Sequence, residues 1–165
     1  MSVKSMDDLF VATLKDIYYA EKQILKALPT MVKKANGPEL KEALETHRRE
    51  TEGQVERLDE VFELLNVPSR GKKCEAIEGI IEEAKAHMDE IEDERVLDAS
   101  MISSAQAVEH YEICRYGTLI EWAKGLGHND AIALLQQNLD EEQNADRLLS
   151  RIARSSSNRK AIAAE

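Results

Sequence analysis

The sequence predicts an all-α four-helix bundle: two antiparallel helix hairpins, a long crossover, and a short extra helix between the second and third long helices. Three observations predict it. The 165-residue chain has only 3 Pro and 7 Gly, too few for the many turns of an all-β fold. Those breakers cluster, and between the clusters run long segments rich in Ala, Leu, Glu, Lys and Gln, all good helix formers. Within the segments, apolar residues recur in alternating steps of three and four, the spacing of a helix face packed against other helices.

Helix A is expected at about 5–35, with a kink at Pro29, whose ring removes one backbone hydrogen bond. Asn36-Gly37-Pro38 then reads as a stop and a start: Gly suits a left-handed C′ position and Pro the first helical turn. Helix B follows at about 38–65, ending at the break Asn66-Val67-Pro68-Ser69-Arg70-Gly71. The short helix is expected at about 73–88, helix C at about 93–125 and helix D at about 129–154. The tail 155–165 has few large apolar residues and is expected to be flexible, leaving 1–154 as the domain. Short A–B and C–D turns make each pair an antiparallel hairpin. The B-to-C connection is long enough to run the length of the bundle, which is the connectivity of ferritin-like folds.

Asp+Glu number 32 against Lys+Arg 22, a formal net charge of −10. That sign argues against a nucleic-acid partner and an anionic membrane surface, and it suits a protein that attracts cations. No apolar run approaches the roughly 20 residues of a membrane span, and the N-terminus lacks a secretory apolar stretch. Cys74 and Cys114 are too few for a disulfide framework. A cytoplasmic protein is therefore expected. No Gly-rich phosphate loop and no Gly-x-Ser-x-Gly elbow occurs.

The chemistry lies in what interrupts the apolar seams. Helix A reads Phe10, Leu14, Ile17, Glu21, Ile24, Leu28, Met31. Helix B reads Leu40, Leu44, His47, Thr51, Gln54, Leu58, Val61, Leu65, with Glu50 beside its polar centre. Helix C reads Ile102, Ala105, Glu109, Glu112, Tyr116, Leu119, Ala123, Leu126, and helix D reads Leu135, Leu139, Glu142, Asp146, Leu149, Ala153. Each stripe is polar at mid-length and apolar at its ends.

Depth follows from the turns. Glu21 and Glu50 lie 15 and 14 residues from Asn36, and Glu112 and Glu142 each lie 15 from Gly127. At about 1.5 Å per residue, all four stand roughly 20–22 Å from their turns. If the turns lie at corresponding ends, the carboxylates converge. An apolar core cannot hold four unpaired charges, each of which costs several kcal/mol or shifts its pKa until neutral. Two divalent cations would balance them, and oxygen-rich sites suit iron or manganese. A carboxylate-bound metal pair of this kind is a known device of helical bundles.

Glu109 and Glu112 compete for the helix C position, and turn spacing favours Glu112. Asp146 is either a ligand or a partner to a neighbouring polar side chain. His47 is either a ligand or a hydrogen-bonded core histidine, and Gln54 fits a supporting role better than ligation. The two halves also repeat weakly. A shift of 91 places Glu21 on Glu112 and Leu58 on Leu149, whereas a shift of 92 places Glu50 on Glu142 and Gln54 on Asp146. The second is preferred at the B/D centre because it keeps both acids in the stripe.

Four segments carry a family resemblance: Leu14-Lys-Asp-Ile-Tyr-Tyr-Ala-Glu-Lys-Gln-Ile-Leu-Lys-Ala-Leu-Pro29, His47-Arg-Arg-Glu-Thr-Glu-Gly-Gln-Val-Glu-Arg-Leu58, Glu109-His-Tyr-Glu-Ile-Cys-Arg-Tyr-Gly-Thr-Leu119 and Leu139-Asp-Glu-Glu-Gln-Asn-Ala-Asp146. They resemble the YciE/YciF group of bacterial ferritin-like proteins, associated with stress responses. The resemblance implies a ferritin-like bundle, a homodimer and a di-metal centre related to those of rubrerythrin and ferritin. The chain departs from the broader ferritin pattern in one respect. The Glu-x-x-His pair is absent from helices B and D, which offer His47-x-x-Glu50 with Gln54, and Glu142 with Asp146. Imidazole ligands tune iron, so this departure bears on oxidase or peroxidase chemistry rather than on metal binding itself.

The expected function is thus a di-metal carboxylate protein holding two iron or manganese ions, with metal-oxidation or O₂/peroxide chemistry. Its metal candidates are Glu21, His47, Glu50, Gln54, Glu109, Glu112, Glu142 and Asp146. The competing reading is a non-catalytic stress-response bundle or interaction module with a structural metal or none.

Overall fold

A computed structural model describes residues 3–163. Long helices form where the breakers allow. Helix α1 runs Met6–Lys34 without a break at Pro29, α2 runs Pro38–Leu64, α3 Glu75–Glu90, α4 Glu94–Leu126 and α5 Asn129–Ile152. Ser5 and Asp8 close a reciprocal capping box at the start of α1, and Asp93 accepts from the amides of Arg95 and Val96 at the start of α4. Helices α1 and α2 form one hairpin and α4 and α5 the other. Helix α2 packs on α5, α1 on α4, and α3 lies over the α1/α4 side. This is the ferritin-like four-helix bundle with its long crossover.

The two hairpin turns solve the same problem differently. Gly127 sits in the left-handed region at φ +82°, the conformation that favours glycine at a helix end. Gly37 does not adopt the left-handed conformation expected from the sequence: its φ is −68°, and it caps α2 ahead of Pro38. Glycine is needed there because a Cβ would stand 3.0 Å from a carboxylate oxygen of Asp98. That carboxylate, buried at the start of α4, accepts from the backbone N–H of Asn36 at 2.8 Å and of Gly37 at 2.7 Å.

The tail also differs from expectation. A π-helical turn over Ala153–Ser157 leads into a last helix, α6, at Asn158–Ile162. The extra residue of the wide turn lets Ala153 and Ser157 bury, and both segments pack on α4. Residue 163 closes the described tail, and 164 and 165 lie outside the described residues.

The apolar seam of α1 is buried throughout, from Phe10, Leu14 and Ile17 to Ile24, Leu28 and Met31. In α5 the buried register is Ala131, Leu135, Asn138, Glu142, Ala145, Leu149, Ile152. Leu139 and Asp146 therefore sit beside the seam. This overturns the preference for a 92-residue shift at the B/D centre. The centre of the buried face of α2 maps onto that of α5 at 91, so Thr51 corresponds to Glu142, His47 to Asn138 and Gln54 to Ala145.

Candidate metal centre

The polar residues at mid-seam meet in one layer of the core. Glu21 comes from α1, His47 and Gln54 from α2, Glu109, Glu112 and Tyr116 from α4, and Asn138 and Glu142 from α5. Every one is buried, and Glu21, Glu112 and Glu142 have no exposed surface at all. The long helices force this. A residue at mid-seam of a 24- to 33-residue helix has several turns of packed apolar residues on either side.

One ligand atom from each of His47, Glu109, Glu112 and Glu142 falls within 4.8 Å of all the others. Glu21 adjoins them with its carboxyl beside that of Glu112, and the carboxyls of Glu109 and Glu142 stand side by side in the same way. Tyr116 donates its hydroxyl proton to Glu21 and accepts from the Asn138 side-chain amide at 3.0 Å. Gln54 donates to Glu142 and, at 3.1 Å, to Glu141. Arg57 donates to both Asn138 and Glu141, which closes the α2/α5 side of the layer with a polar network.

Burial pushes the carboxyls of Glu21, Glu109 and Glu112 well above the ordinary range. Mutual repulsion adds to it: the neighbouring Glu142 is the next largest influence on Glu21, Glu112 and Glu109 alike. The Tyr116 phenol is also pushed up, by burial and then by the charges of Glu21 and Glu112. Hydrogen bonding does not satisfy the layer. Both oxygens of Glu112, one each of Glu21, Glu109 and Glu142, and both ring nitrogens of His47 lack a hydrogen-bond partner. His47 Nε2 approaches Glu109 at 3.4 Å without hydrogen-bond geometry. A buried polar atom left this way costs about 1–3 kcal/mol, and with the Gln54 carbonyl oxygen eight such atoms share one layer, an energetic debt that a cation would relieve.

The donor set fits such a cation. With bonds of about 2.0–2.2 Å, ligand atoms on opposite sides of an ion stand about 4.0–4.4 Å apart. A cluster within 4.8 Å needs only a few tenths of an ångström of closure.

Two candidates from the sequence are not in this group. Glu50 is half-buried one residue before Thr51. It lines a small cavity of about 80 Å³ between α2 and α5 that reaches His47 and Glu109. The depth count from the turn placed it at the right level but not on the right face. Asp146 lies beside the seam, where it accepts from Gln106 at 2.8 Å and faces the exposed His110 at 3.3 Å. Gln54 reaches the layer, with its carbonyl oxygen buried and unpartnered.

A family model described as "Domain of unknown function (DUF892)" matches residues 5–162. This chain belongs to the DUF892 family. Protein YciF of Escherichia coli strain K12 is 41% identical over 162 residues, covering 98% of each chain. The crystal structure of that E. coli stress protein superposes with a TM-score of 0.90 over 94% of this chain and 99% of YciF. YcfI of Rhodopseudomonas palustris is 50% identical with a TM-score of 0.89, over 90% of this chain and 95% of its own. A protein from Xanthomonas campestris pv. campestris is 25% identical with a TM-score of 0.74, over 92% and 93%.

Sequence reasoning missed Asn138 and Arg57 in this DUF892 bundle. The 91-residue repeat carried the signal for Asn138, since it places that residue opposite His47. Nothing in the pattern marks Arg57, which lies off the seam and reaches the layer along its own length.

Proposed function

We propose that this protein is a stress-related ferritin-like metalloprotein that holds two divalent ions, iron or manganese, in the middle of its core. The observation that carries the proposal is the layer of buried, unpartnered donors from four helices. Glu109, Glu112, Glu142 and His47 would hold one ion, with Glu21 completing a second site across Glu112. Four carboxylates balance two divalent charges. When bound, such ions supply Lewis-acid and one-electron chemistry toward oxygen or peroxide. The protein's own part is to fix donor spacing, to shed carboxyl protons as the metal arrives, and to keep bulk water out. Tyr116 and Asn138 orient Glu21, and Gln54 orients Glu142. The stress role follows YciF, and a cytoplasmic homodimer is the working form we infer.

A second reading rests on the carboxyl–carboxyl contacts of Glu21 with Glu112 and Glu109 with Glu142. Shared protons would let the layer serve as a neutral structural network in an interaction module. Metal analysis of protein purified without added iron separates the two. About two ions per chain supports the proposal, and none, even after loading with Fe(II) or Mn(II), overturns it. Peroxide-dependent spectral change in the Fe(II)-loaded protein then separates a reactive centre from a structural one.

A further inference from the structure

Four helices suffice to bury the metal layer, yet α3 does not close onto the α1/α4 side. A cavity of about 530 Å³ remains between α1, α3 and α4. Its walls are apolar, with Ile24, Leu28, Met31, Ile81, Met88 and Val108 among them. Its inner end is different. It reaches His47 and Glu109, both buried, with both imidazole nitrogens and one carboxylate oxygen unpartnered. The rim carries Lys26, Lys34 and Lys85 against Glu78, Glu82 and Asp89, equal in number and opposite in sign, with Lys34 and Asp89 paired at 2.8 Å.

We propose that this cavity binds an uncharged, predominantly apolar small organic molecule, seated with one end against His47 and Glu109. The volume lies in the range of small-molecule sites, which combine apolar walls with a few convergent polar groups. The balanced rim offers no net charge to hold an ionic head. A free anion would meet Glu109 at the inner end, and a free cation would lose its hydration among apolar walls. The ligand's position deepens the metal proposal by placing an organic substrate beside the ions. Its binding depends on the groove alone.

N-phenyl-1-naphthylamine, an uncharged apolar fluorophore, is the probe. The full chain should bind about one per chain, with enhanced emission. Ala27→Trp on α1 and Ile81→Trp on α3 fill the cavity from opposite walls and should each weaken binding at least ~10-fold. Neither position is a proposed metal ligand, so Mn(II) uptake should be unchanged. Nuclear Overhauser contacts between the probe and the methyls of Met31, Ile81 and Met88 in the unsubstituted protein test the location without any variant. No binding, binding indifferent to both substitutions, contacts elsewhere, or a dimer that seals the groove each overturns the inference. Probe binding without uptake of either Fe(II) or Mn(II) supports the groove while ending the metal reading, and uptake of either ion without probe binding does the reverse.

Discussion

The two hairpins share a scaffold at a 91-residue interval but carry different chemistry on it. Where α2 has His47, α5 has Asn138, and where α2 has Thr51, α5 has Glu142. Asn138 is bonded to Tyr116 and Arg57, whereas His47 is unpartnered and faces the cavity. The repeat therefore preserves the buried register and leaves the side chains on it free to diverge. One side of the layer is tied shut by hydrogen bonds, and the other stays chemically open.

Removing the shared acids is the strongest way to break that comparison. Glu21→Ala with Glu142→Ala should abolish metal uptake, read as ions per chain, while Thr51→Ala, at the position matching Glu142, should leave uptake within about twofold. The His47/Asn138 pair should then separate the two roles. His47→Ala should weaken Mn(II) binding at least ~10-fold with the metal-free fold retained. Asn138→Ala should lower stability by about 1–3 kcal/mol in denaturant unfolding, because it strips partners from Tyr116 and Arg57, with uptake retained.

Acidity sharpens the same contrast. The carboxyls of Glu21, Glu109 and Glu112 are raised in the folded state, so that state binds more protons than the unfolded chain between the ordinary carboxyl range and the raised values. Their contribution to metal-free stability is full below the ordinary range and is lost as pH rises through the folded values. Metal-free protein should therefore melt higher at pH 5.5 than at pH 8, and Glu112→Gln should flatten the slope. Metal loading should reverse the trend, since the ions displace those protons. The smallest effect expected is at the turns: Gly127→Ala should cost about 1 kcal/mol through its left-handed backbone.

The fold was legible because each long helix carries one seam and the breaks after α1, α2 and α4 carry their own Gly or Pro. The acids of α1 and α4 were legible for the same reason: Glu21, Glu109 and Glu112 replace apolar residues in an otherwise unbroken stripe. Helix α5 was harder to read. Leu139 and Asp146 offered a plausible seam one residue from the true one, and only packing against α2 selects Asn138 and Ala145. Glu50 stands at the edge of the buried layer for a related reason, because depth along a helix says nothing about azimuth. The tail hid its structure because a π turn breaks the 3.6-residue period on which the reading relies.

Asp98 has a consequence for how the molecule holds together. Rooted in the second hairpin, it grips two amides at the corner of the first, so the halves are latched at a point far from the layer where their acids meet. Loosening that latch would let one hairpin swing on the other, and the spacing of the central acids would slacken from a distance.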